Sequence, residues 1–249
     1  MSRVPTIAVA TPPGVDACFT TRAGGVSDEP FQGLNLGVST GDEPRHVAAN
    51  RHALAASIGA DPRRFVMTNQ VHGTEVRAVE GPDDPERFGE ARTGWSAGDG
   101  LVTERIDVPL MVLGADCPSI LIWRTDGSAV AAVHAGWRGL IGGIVQTAVG
   151  ALGGPVAAAV GPCAGGCCYE VDDDLRTRFR ERYGAQTVVG ANVDLPAAAR
   201  AALIEAGVRP DAVAGGEWCT ICDPVRFFSH RRDGARSGRQ AGVIQRTAA

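Results

Sequence analysis

Between two β-rich runs, SILIWRT and SAVAAVH, the chain places Asp126-Gly127, and Asp-Gly flanked in this way is the strongest short-range signal for a β-hairpin. A hairpin of known loop has a known register, and register decides which side chains share a face. With Asp126 and Gly127 as the two loop residues, Thr125 faces Ser128 and, counting outward along both strands, His134 lies opposite Ser119. Cys117 stands two residues beyond Ser119, so the alternation of strand side chains puts it on the same face, as a diagonal neighbour of His134. A thiol and an imidazole so placed reach one metal ion.

The plain reading of such a pair is two half-buried residues on adjacent strands. Its surroundings favour chemistry. Asp116 precedes Cys117 in GADCPS, and His134 opens HAGWRG, where Gly136 and Gly139 allow backbone or ligand to approach closely. Strand-end loops of this kind tend to carry functional groups.

Further strands are expected over residues 7–10, 17–21, 65–68, 75–79, 109–114, 119–124, 128–134 and 156–160, each β-branched or alternating and bounded by turn residues. Helices are expected from Pro44, with Val47, Leu54, Ala55 and Ile58 on one face, and over 140–152, 172–182 and 196–206. The mixture predicts an α+β or mixed α/β layered fold. The stretch 80–100, EGPDDPERFGEARTGWSAGDG, reads as a long surface excursion between ordered halves, or as a lid.

Of the five histidines, His72 is the best placed third partner. It lies in NQVHGTEV, where a strand passes into a glycine-bearing bend before the next strand begins. His46 and His52 fall on a helix that presents them to solvent, and His230 lies among arginines, where it can meet a substrate. Two imidazoles and one thiolate suit tetrahedral zinc with the fourth position open to water or substrate, which is the catalytic arrangement. Copper accepts the same donors, but a multicopper centre needs more imidazoles than five, and the chain has no His-x-His pair.

Composition narrows the chemistry further. With 44% hydrophobic and 21% charged residues in 249, the chain has the makings of a core and the charge to stay dissolved. Its net charge of −4 gives no nucleic-acid footprint. There is no run of apolar residues long enough to span a membrane, and the opening Met1-Ser2-Arg3-Val4-Pro5 has no charged segment leading into an apolar one, so the cytoplasm is the expected compartment. All 24 basic residues are arginine. Lysine Schiff bases and the lysine of a phosphate-binding GxxxxGK[ST] loop are therefore excluded, and any anion must be held by arginine or backbone. Arg138, close to His134, and Arg51 can each grip an oxyanion with two donors at once, and each reads equally as a surface or structural arginine.

The motifs TTRAGGVS (20–27), LNLG (34–37), NQVHGTEV (69–76), ADCPSILI (115–122), VHAGWRGL (133–140), VGPCAGGCCYEV (160–171) and FFSHRRDGARSGRQAGVI (227–244) occur in order over nearly the whole chain. Together they resemble the YfiH family, also called laccase-domain or peptidoglycan editing factor PgeF proteins. The resemblance implies a single domain over 1–249, folded as a four-layer α/β/β/α sandwich with mixed β-sheets. It implies a purine nucleoside phosphorylase that cleaves adenosine, inosine, guanosine and methylthioadenosine with phosphate and also deaminates adenosine. The family's zinc ligands fall on His72, Cys117 and His134, which the resemblance makes the catalytic set as well. Two positions depart from the family pattern: Pro118 follows Cys117 at once, with Ser119 in the proline's place, and His230 stands where a tyrosine is common.

Two other readings stay open at this point. Cys117 can be the nucleophile of a cysteine hydrolase or of a protein that edits peptidoglycan muropeptides, with a histidine as base and Asp116 or another group orienting the ring. That reading leaves the second histidine without a task. Alternatively the chain is a binding module with a structural zinc built from Cys163, Cys167 or Cys168 and the pair in Cys219-Thr220-Ile221-Cys222, unless these cysteines simply pack behind glycine-rich loops. The segment from Gly161 to Tyr169 matches no phosphate-cradling glycine loop and reads as a tight turn before an acidic helix, and the cluster of Arg231, Arg232, Arg236 and Arg239 reads as a solvated face, with a place near an anionic substrate as its other reading.

Overall fold

The computed structural model describes residues 4–82 and 84–248, so residues 1–3 of the opening segment and Asp83 of the 80–100 stretch lie outside the described residues. Two sheets stack face to face. The first is four-stranded, in the order β1 (Thr6–Ala8), β2 (Val15–Thr20), β12 (Gln240–Arg246) and β5 (Leu110–Gly114). The second is six-stranded, in the order β11 (Val213–Gly215), β8 (Val156–Val160), β6 (Ser119–Arg124), β7 (Val130–His134), β4 (Gly100–Thr103) and β3 (Val76–Ala78). It is mixed: β3 with β4 and β8 with β11 are parallel, and the remaining pairs are antiparallel. A two-stranded ribbon, β9 (Val188–Val189) and β10 (Asn192–Val193), stands apart from both.

Alternation along the strands divides the core into three layers. Leu121 and Trp123 of β6 meet Phe19, Val112 and Ile244 between the sheets. Their neighbours Ile120 and Ile122 face the other way, onto α2 (Trp137–Gly142), α3 (Ile144–Leu152), α4 (Asp173–Tyr183) and α5 (Leu195–Glu205). On the far side of the first sheet, Met111 and Val243 pack with Leu54 and Ala55 of α1 (Pro44–Ser57). Strands covered on both faces read as continuous apolar runs, which is why β6 is buried from Ser119 to Trp123. The result is the expected α/β/β/α sandwich. Among the described residues no helix is long and apolar enough to cross a membrane.

The hairpin has the expected register, with Ser119 paired to His134 and Trp123 to Val130. Its turn is wider than two residues. Arg124 N–H bonds Ala129 O at 2.9 Å, and of the two central residues only Gly127 has a positive φ, of 73°. Asp126 Oδ1 instead accepts the Ser128 N–H at 2.9 Å, and a loop lengthened by one residue at each end leaves the pairing unchanged.

Other expectations need correction. The helix expected over 140–152 is two helices, because Gly143 at φ 91° ends α2 and starts α3. Residues 65–68 contribute only a single bridge, Val66 to Leu110. The stretch 80–100 is no linker: Phe88 is fully buried and stacks on Phe65 with ring centroids 4.0 Å apart. The stretch also ends in β4, whose four residues were too short and glycine-led to be read as a strand.

Candidate metal centre and its cavity

Three loops at the same end of the sheets supply the site. His134 is the last residue of β7, Cys117 lies two residues before β6, and His72 sits in the bend before β3. Their donor atoms lie within 4.8 Å of one another, and the two rings meet edge to face with centroids 4.9 Å apart. Residues expected from the hairpin and from NQVHG thus converge. His134 is buried, Cys117 half-buried and His72 exposed, so the group opens to one side.

The group is organised by Asp99, which the sequence reading did not single out. Gly100 pairs with Val133, so Asp99 falls beside His134, and its carbonyl takes the His134 N–H at 2.7 Å. Its fully buried carboxylate accepts from His134 Nδ1 at 2.8 Å, from His72 N–H at 2.9 Å and from Gly73 N–H at 2.7 Å. Nδ1 is therefore engaged and Nε2 is left for a ligand, the arrangement that carboxylates impose on metal-binding imidazoles. One carboxylate fixes one ring directly and the backbone of the other. His72 itself has φ 61° and Asp116 φ 88°, a conformation that non-glycine residues adopt only where the surroundings enforce it.

Electrostatics follow from these contacts. Burial works to raise the Cys117 thiol, but the imidazoles of His134 and His72 outweigh it and bring the pKa down to about 6. Burial works to lower His134, but Asp99 and Cys117 outweigh it and raise the ring to about 9. Burial also opposes ionisation of Asp99, and the His134 ring with the Gly73 and His72 amides holds its pKa below the ordinary value. Two imidazoles, a thiol ready to ionise and a carboxylate behind one ring form a donor set that fits a divalent cation of intermediate softness.

Gly136 makes the convergence sterically possible. A Cβ there would lie 2.8 Å from His72 Cδ2 and 3.3 Å from Cys117 Sγ. The glycine of HAGWRG is thus a close-approach residue, as expected from the sequence.

The group forms one end of a cavity of about 620 Å³, whose wall includes Met67, Asn69, Trp95, Leu113, His230 and Arg239. No aspartate or glutamate lines it among the described residues. Thr68 Oγ1 and Trp95 Nε1, from side chains on its wall, are buried with no hydrogen-bond partner among the described residues. Such atoms call for a polar ligand.

The arginines fall differently from the sequence expectation. Arg138 is exposed, stacks on Trp137 at 4.3 Å and does not line the cavity. Arg51 reaches the wall, but it is fully buried and its guanidinium donates to Leu36 O and Phe88 O, a structural use of its donors. Arg239, from the basic cluster whose other reading is a place near an anionic substrate, is the arginine that enters the cavity. Its Nη1 bonds Ser237 O and Gly238 O, while Nε and Nη2 meet no acceptor among the described residues. Asp116 does not orient either ring. Its carboxylate accepts from Thr220 Oγ1 and from the Arg231 N–H, both at 2.6 Å, and so anchors the segment before Cys117.

Residues 16–247 match the family model described as multi-copper polyphenol oxidoreductase laccase. A protein of Xylella fastidiosa named purine nucleoside phosphorylase is 41% identical over 244 residues, covering 92% of each chain. The crystal structure of YlmD from Geobacillus stearothermophilus superposes with a TM-score of 0.87 at 32% identity, covering 98% of this chain and all of that one. That of the Bacillus licheniformis hypothetical protein YfiH gives 0.87 at 31% identity over 94% and 93% of the two chains.

Proposed function

Because the chain belongs to the laccase-like YfiH family, we propose that it is a purine nucleoside phosphorylase whose cavity works with a zinc ion held by His72, Cys117 and His134. The observation that carries the reading is the cavity's lining: a three-donor cation site at one end, an arginine with free donors on the wall, and no carboxylate among the described residues. Such a lining suits an anionic co-substrate. Zinc is preferred to copper because two imidazoles and one thiolate with an open position make a catalytic zinc set, and only two of the five histidines converge.

In phosphorolysis a phosphate oxygen bonds to the anomeric carbon of the ribose as the bond to the purine nitrogen breaks, and the purine leaves with the electron pair. The zinc ion, when bound, supplies positive charge and Lewis acidity at its end of the cavity. Arg239 holds phosphate through its free Nε and Nη2 donors. Trp95, Met67 and Leu113 offer the purine an apolar slot, and Asn69, Thr68 and His230 offer hydrogen bonds to base and ribose. Adenosine, inosine, guanosine and methylthioadenosine all fit such a description, since they share the purine and the ribose carbon at which the bond is cut. Hydrolytic deamination of adenosine, which consumes water and releases ammonia, is the lesser activity, because among the described residues no aspartate or glutamate lines the cavity to serve as its general acid and base.

A second reading has one observation in its favour. The Cys117 thiol held at about 6 beside the His134 imidazole at about 9 resembles a thiolate–imidazolium pair, as in cysteine hydrolases acting on peptides or muropeptides. It gives His72 no task. Incubation with adenosine, with and without phosphate, and chromatography for adenine, ribose phosphate and inosine tests the first reading, with metal content measured alongside. Phosphate-dependent adenine release is expected, and Cys117→Ser is expected to lose both zinc and activity. Full zinc retention with activity lost in Cys117→Ser favours the nucleophile instead.

A further inference from the structure

Away from this cavity, four of the seven cysteines gather at a second place. Cys167 and Cys168 lie in the loop after β8, and Cys219 and Cys222 in the loop after β11. Their Sγ atoms all fall within 4.8 Å of one another: Cys167 to Cys222 3.4 Å, Cys168 to Cys219 3.4 Å, Cys168 to Cys222 3.2 Å and Cys167 to Cys168 3.6 Å. Four sulfurs about 2.3 Å from a tetrahedral centre stand roughly 3.8 Å apart. The four separations fall a few tenths of an ångström short of that value, close enough for one ion to draw on all four sulfurs.

The gathering is produced by strand pairing between distant segments. β8 and β11 are parallel neighbours, and just beyond them Cys163 and Cys219 form a parallel bridge, with Cys163 N–H on Trp218 O and Thr220 N–H on Cys163 O. Cys163 itself points into the core and takes no part in the sulfur group. Apolar packing accounts for Cys163 and Cys18, which are both buried. It does not account for the four, of which Cys167 and Cys222 are exposed and Cys168 and Cys219 half-buried. The Gly165 N–H also points at Cys219 Sγ at 3.4 Å, a contact that favours a thiolate.

We infer that Cys167, Cys168, Cys219 and Cys222 form a tetrathiolate site for a structural zinc ion, separate from the cavity. All four coordination positions come from the protein, so the site is closed and non-catalytic, and an all-thiolate set selects zinc over hard cations. The ion ties together the two loops that brace the catalytic wall. Ala164 N–H bonds Asp116 O at 2.8 Å, Thr220 Oγ1 bonds the Asp116 carboxylate at 2.6 Å, and Asp116 adjoins Cys117. Arg232 Nη1 bonds Thr220 O at 2.7 Å and so links the same loop to the helix that begins with His230.

The test is metal counting by mass spectrometry on the full chain purified under reducing conditions. Two zinc ions per chain are expected, one lost in the Cys219→Ser/Cys222→Ser double variant and the other lost in His72→Ala. A single zinc in the wild type that survives the cysteine double variant overturns the inference. A single zinc that survives His72→Ala but leaves with the cysteine variant upholds it while removing the metal from the cavity reading. If the double variant does not fold, cobalt replacement in the wild type serves: intense thiolate-to-cobalt charge transfer with the visible bands of a four-sulfur tetrahedral centre is expected. Four unligated thiols, disulfides joining these cysteines in peptide mapping, or iron in place of zinc would each sink it.

Discussion

Oδ1 of Asp99 lies 2.8 Å from Nδ1 of His134, and the same oxygen receives the backbone N–H of His72 at 2.9 Å. One buried carboxylate therefore sets the tautomer of one imidazole and the position of the other. Replacing it with asparagine keeps an acceptor but removes the charge and presents a second donor to the ring. Asp99→Asn is expected to weaken zinc binding roughly 10–100-fold while the fold persists. Competition against a chromophoric chelator measures this, and unchanged zinc affinity would remove Asp99 from the role assigned to it.

Gly136 offers a steric test of the same group. Its φ of −59° and ψ of 164° suit any residue, so alanine brings no backbone strain and acts only through its methyl group. That methyl would sit 2.8 Å from His72 Cδ2. Gly136→Ala is expected to displace the His72 ring, costing about 1–3 kcal/mol locally, and to reduce zinc content and turnover together. A variant with wild-type zinc content and turnover would show that the ring has room to move.

How much of this was legible in the letters depends on the range of the interaction. Cys117 beside His134 follows from a four-residue turn, because pairing propagates register outward from Asp126-Gly127, and an even change in loop length leaves that register intact. His72 follows from a glycine-bearing bend after an extended run. Asp99 does not follow, since its partnership rests on β4 pairing with β7 across more than thirty residues, and β4 is a four-residue strand at the end of an acidic, glycine-rich stretch. β12 escaped notice for a related reason: QAGVIQR carries glycine and two glutamines, and only insertion between β2 and β5 makes it a buried central strand. The cysteines divide in the same way. The spacing of Cys219 and Cys222 is legible as a pair, and only the parallel pairing of β8 with β11 brings Cys167 and Cys168 beside it.

The thiol of Cys117 gives a pH-dependent reading of the site. In chelated protein, the imidazoles that outweigh its burial hold the pKa near 6, well below the ~8.5 of a free cysteine. Below that pH the thiol is protonated and slow to alkylate; above it the thiolate reacts. Site-resolved mass spectrometry of iodoacetamide labelling is expected to show half-maximal rate at Cys117 near pH 6, suppressed when zinc is restored. His134→Asn removes the largest opposing contact and leaves burial dominant, so its midpoint is expected to move upward. A wild-type midpoint at or above that of free cysteine would contradict the ion-pair description.

Phosphate recognition separates Arg239 of the basic cluster from Arg138 and Arg51, the two arginines that the sequence offers first. Arg239 lines the cavity with Nε and Nη2 free of acceptors among the described residues, Arg138 lies outside on Trp137, and Arg51 is committed to the carbonyls of Leu36 and Phe88. A charge-assisted hydrogen bond contributes about 1.5–3 kcal/mol, so Arg239→Gln is expected to raise KM for phosphate roughly 10–100-fold with zinc content unchanged. Arg138→Gln is expected to leave both at wild-type values. Arg51→Gln is expected to lower the thermal unfolding midpoint instead, because it strands two buried carbonyls. Steady-state kinetics with phosphate as the varied substrate, run beside metal analysis and thermal melts, distinguishes the three. Loss of phosphate affinity in Arg138→Gln with none in Arg239→Gln would place the anion outside the cavity.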